Sequence, residues 1–338
     1  MVTKNSADRD PLVVVTREGL YCPKADAYID PWRPVETALI THAHADHARP
    51  GSRQYHCLAS GAGLLTERVR PDSLSTHDAH EPITMGALTV TWVPAGHVLG
   101  SAQIRLSDGE QVWVVTGDYK RTADPSCDPF EPIQCDVLIT EATFALPIYR
   151  WPSMDQVMDD LCQWWDHALL KNRQPVLYCY ALGKAQRIMA ELALRTTREV
   201  CIHPTIAQLL PAYLDQGIPL CPWHVLTSGQ KAPPGTLILA PPGAQGGRLI
   251  TQFRALDEAM ASGWMQIRGV RRRRALTQGF VLSDHADWDG LLQTIKDSGA
   301  SRVLATHGET RVLTDYLNRM GVEAARLSTS FGQDEDTA

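Results

Sequence analysis

Several signatures of specialised proteins are missing from this sequence of 338 residues. No apolar run approaches the ~20 residues that a helix needs to span a bilayer. The polar, mixed-charge stretch 1–10 has no signal-peptide core. The eight cysteines are scattered singly without any C-x-x-C pair, so neither a disulfide framework nor a zinc finger is indicated. We therefore expect no membrane partner, and a bacterial-type cytoplasmic location is the default expectation.

The chain also lacks the overall positive charge that is typical of nucleic-acid-binding domains, because its formal net charge is −6. This total conceals an asymmetry between the middle of the chain and its flanks. Between Ala145 and Leu282 there are 15 Lys and Arg against 9 Asp and Glu, whereas the remainder holds 17 against 29. The net charge therefore does not exclude a polyanionic substrate that contacts the basic middle segment.

Six apolar, strand-like runs each lead to a His, Asp or Glu. Strands buried on both faces read as continuous apolar runs, and loops at the edge of such sheets collect binding residues. The pattern predicts an α/β fold whose loops converge on one site. The runs are Ala38–Ile40, Leu88–Val93, Val112–Val115, Val137–Thr140, Phe280–Leu282 and Val303–Thr306, and they lead to His42, His97, Asp118, Glu141, His285 and His307.

The middle of the chain alternates between helical and strand patterns. Ser153 is placed to cap a helix over 154–170, since apolar residues recur there at helical spacing. A buried strand is expected over 175–180, followed by helices over 184–194 and 205–216. These elements describe a compact α/β unit.

The densest cluster of metal-binding residue types is the stretch His42-Ala43-His44-Ala45-Asp46-His47, which follows the first apolar run. Imidazole and carboxylate at this density suit a transition metal. His42 and His44 alternate, so on extended chain they point the same way, while Asp46 and His47 lie where the chain must turn and can face a second ion. The alternative is a solvated polar loop.

Three further positions have both a functional and a structural interpretation. Asp30, at a strand exit, is either a turn carboxylate or an acceptor that orients a metal-binding histidine. Lys184 follows Gly183 at a helix N-terminus, which favours phosphate, although the spacing of a Walker motif is absent. The run Arg271–Arg274 is either a solvated face or a contact with substrate.

Taken together, these residues resemble a known family. The loop His42–His47 with His97, Asp118 and His307 is similar to the five-part signature of the metallo-β-lactamase fold. Glu141, Ser283-Asp284-His285 and Thr306-His307-Gly308 look like the added motifs of its nuclease branch. The resemblance implies an αββα sandwich of residues 1–150 and 276–338, with an inserted α/β domain, the β-CASP domain, over 151–275.

The resemblance also implies a role for each site residue. One Zn²⁺ would be held by His42, His44 and His97, a second by Asp46, His47 and His307, and Asp118 would bridge the two; Mn²⁺ is an alternative metal. Asp30 and Glu141 would orient the ligands, and His285 would act as an acid on the leaving oxygen. Catalysis would rest on Asp46, Asp118 and His285, and substrate phosphate would be held by Ser283, Lys184, Arg271 and Arg272.

Within this branch, the chain particularly resembles the bacterial DNA-ligase-associated exonucleases. Six stretches carry this likeness: Gly19–Cys22, Tyr28–Pro34, Pro94–Ser101, Tyr180–Arg187, Ser262–Met265 and the run around Arg271. The resemblance implies a DNA-repair exonuclease that acts with an ATP-dependent DNA ligase and a helicase. His307 is shared with RNA-processing members, so an RNA-processing nuclease is the alternative. A small-molecule thioesterase or lactonase and a binding module with an inactive metal site are further alternatives.

Overall fold

The computed structural model describes residues 10–230, 232–267, 276 and 278–329. These residues form a mixed α/β structure, which confirms the α/β class that the apolar runs predict. The strands of the first sheet are β1 (Val14–Val15), β2 (Leu20–Cys22), β3 (Ala27–Ile29), β4 (Thr37–Leu39), β5 (Gln54–Leu58) and β6 (Leu74–His77). Then follow β7 (Ile83–Met85), β8 (Leu88–Pro94), β9 (Ala102–Ser107), β10 (Val112–Val115), β11 (Val137–Glu141), β12 (Gln174–Tyr178), β13 (Val200–Ile202), β14 (Trp223–Val225), β15 (Leu237–Ala240), β16 (Leu256–Ala261), β17 (Gln278–Phe280), β18 (Arg302–Thr306) and β19 (Glu323–Arg326).

The helices within the described ranges are mostly short. They are α1 (Ala62–Val69), α2 (Met154–Leu170), α3 (Lys184–Ala193), α4 (Pro204–Ala207), α5 (Leu210–Asp215), α6 (Arg248–Thr251), α7 (Trp288–Ser298) and α8 (Thr310–Arg319). Single 3-10 turns occur at Ala59–Gly61, Pro242–Ala244 and Gly263–Gln266. None of these described helices is long and apolar enough to cross a membrane.

The first two sheets pack face to face around a shared apolar core. The first has the order β1-β2-β3-β4-β5-β6, and the second has the order β19-β18-β11-β10-β9-β8-β7. Leu39 and Ile29 of the first sheet pack with Trp92, Ile104 and Ile139 of the second. Helix α1 covers the outer face of the first sheet, and α7 and α8 cover that of the second. The layers are therefore helix, sheet, sheet and helix.

The third sheet is parallel throughout and has the order β14-β13-β15-β12-β16-β17. Its central strand β15, Leu-Ile-Leu-Ala, is buried along its whole length. This is expected where both faces of a parallel sheet are covered. Helices α2 and α3 cover one face, and α6 with the 3-10 turn at Gly263–Gln266 covers the other.

Most of the predicted elements of the middle segment are confirmed. Helix α2 begins after Ser153, whose Oγ accepts a hydrogen bond from the N–H of Gln156 at 3.3 Å. The helix expected over 205–216 is wrong in one respect: it is two short helices, α4 and α5, because Pro211 lies in the first turn of α5 and cannot continue the α4 hydrogen-bond ladder. The strand expected over 280–282 ends at Phe280.

Candidate metal centre

The candidate centre lies where several strand ends meet. The loop 41–47 follows β4, His97 follows β8, Asp118 follows β10 and His307 follows β18. Because β10, β11 and β18 are parallel neighbours, their carboxyl ends share one edge of the second sheet. The side chains of the ligand candidates are buried at this edge: His42, His44, Asp46, His47, His97 and Asp118. The side chain of His307 is also only 4% exposed.

One group of donor atoms consists of His42, His44, His97 and Asp118, and these atoms all lie within 4.8 Å of one another. His97 Nε2 is 3.0 Å from His44 Nδ1. Asp118 Oδ2 is 3.4 Å from His42 Nε2 and 3.8 Å from His97 Nε2. Three imidazole nitrogens and a carboxylate oxygen therefore face one point.

A second group consists of Asp46, His47 and His307, whose donor atoms also lie within 4.8 Å of one another. His47 Nε2 is 3.6 Å from Asp46 Oδ2 and 3.3 Å from Asp118 Oδ2. His307 Nδ1 is 3.7 Å from Asp118 Oδ1. Asp118 thus contacts both groups, one oxygen facing the first group and His47, the other facing His307.

The bonding of these groups fits a metal ion. Within the described part of the chain, three buried atoms of the two groups have no hydrogen-bond partner: His42 Nε2, Asp46 Oδ2 and Asp118 Oδ1. Buried polar atoms normally have partners, since leaving one unpaired costs about 1–3 kcal/mol. Five imidazoles and two carboxylates are a donor set that divalent transition metals accept.

The histidines are oriented from behind by hydrogen bonds on their other nitrogen. His47 Nδ1 donates to Asp30 Oδ2 at 2.7 Å, and Thr41 Oγ1 donates to the same oxygen at 2.6 Å. His42 Nδ1 in turn lies 3.0 Å from Thr41 Oγ1. Asp30, 1% exposed, therefore orients one ring directly and a second through Thr41. This is the arrangement found behind metal-bound imidazoles.

Burial and neighbouring charges set the protonation of the rings. Burial lowers the pKa of His42 and His97 well below 6.5, and it lowers the pKa of His307 to about 4. For His47 burial acts in the same direction, but the carboxylates of Asp118, Asp46 and Asp30 outweigh it and raise the pKa well above 6.5. His42, His97 and His307 are therefore neutral near pH 7, which is the form that binds metal.

His285 lies beside the first group and is held by Glu141. Its Nδ1 is 2.9 Å from Glu141 Oε2, and the other carboxylate oxygen accepts the N–H of Tyr119 at 2.7 Å. Asp118, Glu141 and His285 also have donor atoms within 4.8 Å of one another. Because both oxygens of Glu141 already accept hydrogen bonds, this carboxylate is engaged in orienting His285.

The residues predicted to hold phosphate are only partly described. Ser283 is 3% exposed, and its Oγ accepts the N–H of His285 at 3.1 Å. Lys184 is 1% exposed; its Nζ is 3.4 Å from Asp284 Oδ2 and 4.3 Å from the centre of the Tyr180 ring. Arg271 and Arg272 lie outside the described residues. Neither Ser283 nor Lys184 presents a side chain to open solvent.

Two residues that contact this centre have no role in the predicted site. Thr41 directly precedes the stretch His42–His47, and it connects Asp30 to His42. Asp284 belongs to Ser283-Asp284-His285, and its carbonyl oxygen accepts the Nδ1 hydrogen of His97 at 2.8 Å. A hydroxyl directly before the motif was the available signal for Thr41. The Asp284 carbonyl is a backbone acceptor 187 residues away from His97, and such a contact leaves no signal in the sequence.

Comparison with known proteins gives relatives of two kinds. No family model matches the chain. A protein named Probable DNA ligase from Opitutus terrae is 30% identical over 318 residues, which cover 93% of this chain and 31% of that protein. Endoribonuclease YSH1 from Kluyveromyces lactis is 32% identical over 120 residues, 35% of this chain and 15% of that protein. The second match agrees with the nuclease resemblance that the motifs carry.

Two further matches have lower sequence identity. Transcription termination factor FttA from Methanothermobacter thermautotrophicus is 24% identical over 219 residues, which cover 54% of this chain and 33% of that protein. The chain thus spans about a third or less of the length of these curated relatives. A protein of unknown function from Enterococcus faecalis has the same fold, with a TM-score of 0.56 and 14% identity over 88% of this chain and 80% of the other.

Proposed function

We propose that this chain is a dizinc phosphodiesterase of the metallo-β-lactamase type with an inserted β-CASP domain, and that it hydrolyses DNA as an exonuclease in cytoplasmic DNA repair. The observation that carries the proposal is the position of Asp118 between two groups of donor atoms, with His285 at their edge. Phosphoryl transfer uses such pairs of ions, together with an acid for the leaving oxygen.

In this proposal His42, His44 and His97 would hold one Zn²⁺, Asp46, His47 and His307 would hold the other, and Asp118 would contribute to both sites. When bound, the two ions supply Lewis acidity toward water and toward the phosphoryl oxygens. Mn²⁺ is the alternative metal, since the same nitrogen and oxygen donors accept it.

The chain's own groups orient the site and move one proton. Asp30 and Thr41 keep His47 and His42 in the tautomer whose Nε2 faces the centre. Glu141 holds His285 by Nδ1 at 2.9 Å, so proton transfer by this residue uses Nε2. His285 Nε2 would protonate the leaving oxygen as the phosphodiester bond breaks, and the carboxylate of Asp46 would be a ligand in the second group.

The substrate is assigned from charge and from the relatives. The basic segment 145–282 supports a polyanion, and the match of 93% of the chain to a protein named as a DNA ligase supports DNA and a ligase partner. We assign residues 151–275 to the inserted domain that faces the centre and 1–150 with 276–338 to the other. Lys184, Ser283, Arg271 and Arg272 remain the proposed phosphate contacts, and a helicase the second partner.

An RNA-processing nuclease is the second candidate. The match to an endoribonuclease favours it, as does the resemblance of the His307 motif to that of RNA-processing members. A thioesterase or lactonase is less well supported, because a small ester requires neither a basic segment nor His285.

The test is a digestion panel with the metal-loaded chain. End-labelled single- and double-stranded DNA, RNA of the same sequence and a chromogenic thioester are each incubated with it. The proposal predicts that DNA is shortened stepwise from an end. RNA cleaved far faster than DNA would establish the second candidate instead, and turnover of the thioester alone would contradict both.

Variants separate chemistry from metal binding. His285→Ala should keep its metal content but lose at least about 100-fold in rate, the usual contribution of a general acid. His224→Ala is the control, because His224 lies on β14 and pairs with Glu199 at 2.7 Å, away from the centre. If His285→Ala loses metal as well, the role assigned to His285 is wrong.

A further inference from the structure

A buried guanidinium connects the helices of the third sheet to the candidate metal centre. Arg187 lies in the first turn of α3, which packs on the third sheet, and is only 3% exposed. Its Nη1 donates to the carbonyl oxygen of Ser283 at 2.7 Å and lies 3.4 Å from Asp284 Oδ1. Its Nε is 3.2 Å from Asp124 Oδ2. One side chain thus contacts two separate loops, one after β10 and one after β17.

The segment that Arg187 contacts carries two groups of the centre. The carbonyl oxygen of Asp284 accepts the Nδ1 hydrogen of His97 at 2.8 Å, which leaves His97 Nε2 toward His44 and Asp118. His285 is the next residue, and its N–H donates to Ser283 Oγ at 3.1 Å. A displacement of 283–285 would therefore move the ring of His97 and that of His285 together.

The charges around Arg187 form one buried network. Lys184 Nζ is 3.4 Å from Asp284 Oδ2, and Lys120 Nζ is 3.5 Å from Asp124 Oδ2. With Arg187 these groups are three cations and two carboxylates, and each residue is at most 8% exposed. A buried ion network is weak evidence for stability, because well-packed apolar residues of similar volume are often at least as stabilising. Its geometry, by contrast, constrains the loop behind His97.

We propose that Arg187 is a positioning residue for the first metal group. Its guanidinium holds Ser283 and Asp284 in place, so that the Asp284 carbonyl keeps His97 with Nε2 toward the metal. Lysine cannot replace it, because a single ammonium does not offer the planar set of donors that contacts Ser283, Asp284 and Asp124 at once. This inference rests on the proposed metal centre.

The experiment is a titration of the metal-free chain with Co²⁺, followed by the visible absorption of the bound ion. Wild type should bind two Co²⁺. Arg187→Met should bind one of them about 10- to 100-fold more weakly, because the loss of a residue that orients a metal ligand usually has an effect of this size. The visible spectrum of that bound ion should also change. The second ion should keep its affinity, because Asp46, His47 and His307 make none of these contacts.

Two further variants keep the test decisive. Arg195→Met is the matched control: Arg195 follows α3, pairs with Asp155 and Glu191, and has none of the contacts to 283–285. It should bind both ions like wild type. Arg187→Lys retains the charge, and the same single site should be weakened in it. This variant decides the question if Arg187→Met does not fold by circular dichroism.

The outcomes distinguish this proposal from the proposed function. If wild type binds two Co²⁺ and both Arg187 variants bind them with unchanged affinity and spectrum, Arg187 is not a positioning residue, even if their melting temperature falls. If wild type binds no Co²⁺, the metal centre itself is wrong, and the inference about Arg187 falls with it.

Discussion

Individual residues of the candidate centre depend on partners that bind no metal themselves. Asp30 is the clearest case, because its two oxygens accept three hydrogen bonds: from the Thr41 N–H, the Thr41 hydroxyl and His47 Nδ1. It holds this position with φ +43°, a conformation that non-glycine residues rarely adopt. His307 has φ +57°. Two strained backbone positions at one site are consistent with a functional requirement.

Asp30→Asn tests the orienting role of the carboxylate. An amide has a single acceptor oxygen, so Asn cannot accept at both positions that Asp30 offers to Thr41 and His47, and we expect the affinity for Zn²⁺ to fall about 10- to 100-fold. Competition with a chelating dye measures this. Asp26→Asn is the control, since Asp26 also has positive φ, +49°, but its carboxylate accepts a hydrogen bond from the Tyr21 hydroxyl at the surface. Equal Zn²⁺ affinities of the two variants would show that Asp30 does not orient the metal ligands.

At the scale of elements, the loops after the strands must approach closely to bring the ligands together. Gly117, just before Asp118, has φ +56°, and a Cβ there would lie 2.6 Å from Thr41 Oγ1. Two ligand-bearing loops, after β4 and after β10, can therefore meet only because this position has no side chain.

Gly117→Ala should separate these two loops. We expect the metal affinity to fall at least about tenfold, because Thr41 must move away from both Asp30 and His42. Gly109→Ala is the matched control: it has φ +88°, yet a Cβ there meets nothing within 4 Å. It carries the backbone strain without the contact, so its metal affinity should equal that of wild type. If Gly117→Ala binds metal like wild type, the two loops accommodate the added methyl group without displacing Thr41, and the prediction is wrong.

Strands β5 and β6 carry a pair of histidines that makes stability depend on pH. His56 Nδ1 is 2.9 Å from His77 Nε2, and burial followed by the charge of His77 lowers the pKa of His56 to about 4. Burial lowers the pKa of His77 as well. Because the unfolded chain binds the proton more readily than the folded chain, stability should fall as the pH drops from about 6.5 to about 4.

His56→Gln should reduce this acid sensitivity. Urea unfolding of the metal-free chain at several pH values gives the free energy of unfolding, and the loss between pH 7 and 4 should be about 1–3 kcal/mol smaller in the variant. Metal-free protein is required since the candidate ligands also take up protons. An identical pH dependence in both chains would show that His56 is protonated equally easily in the folded and unfolded states.

At the scale of the whole molecule, the fold brings distant segments to one edge. The two packed sheets supply His42, His97, Asp118 and His307, and the third sheet is connected to them through Arg187 and the segment 283–285. Apolar runs ending in His, Asp or Glu were sufficient to predict the α/β class and the convergence of these loops. The reason is that parallel strands share an edge wherever they occur in the chain.

Contacts that depend on a backbone atom or on one buried charge could not be predicted in this way. The Asp284 carbonyl behind His97 has no residue signature, and the network of Lys120, Asp124 and Arg187 reads in sequence as ordinary surface charge. Lys184 illustrates the same limit: a Gly-Lys turn indicates phosphate, but whether the ammonium faces a ligand or Asp284 is decided by tertiary packing.

The most direct test of the account is the hydrolysis of end-labelled DNA while Zn²⁺ is added stepwise to the metal-free chain. Because Asp118 connects two groups that act together, we predict that the rate stays low up to one ion per chain and rises to its maximum at two. Asp118→Asn should show no rise at any ratio. Full activity at one ion per chain, or in the presence of chelator, would contradict the dizinc phosphodiesterase.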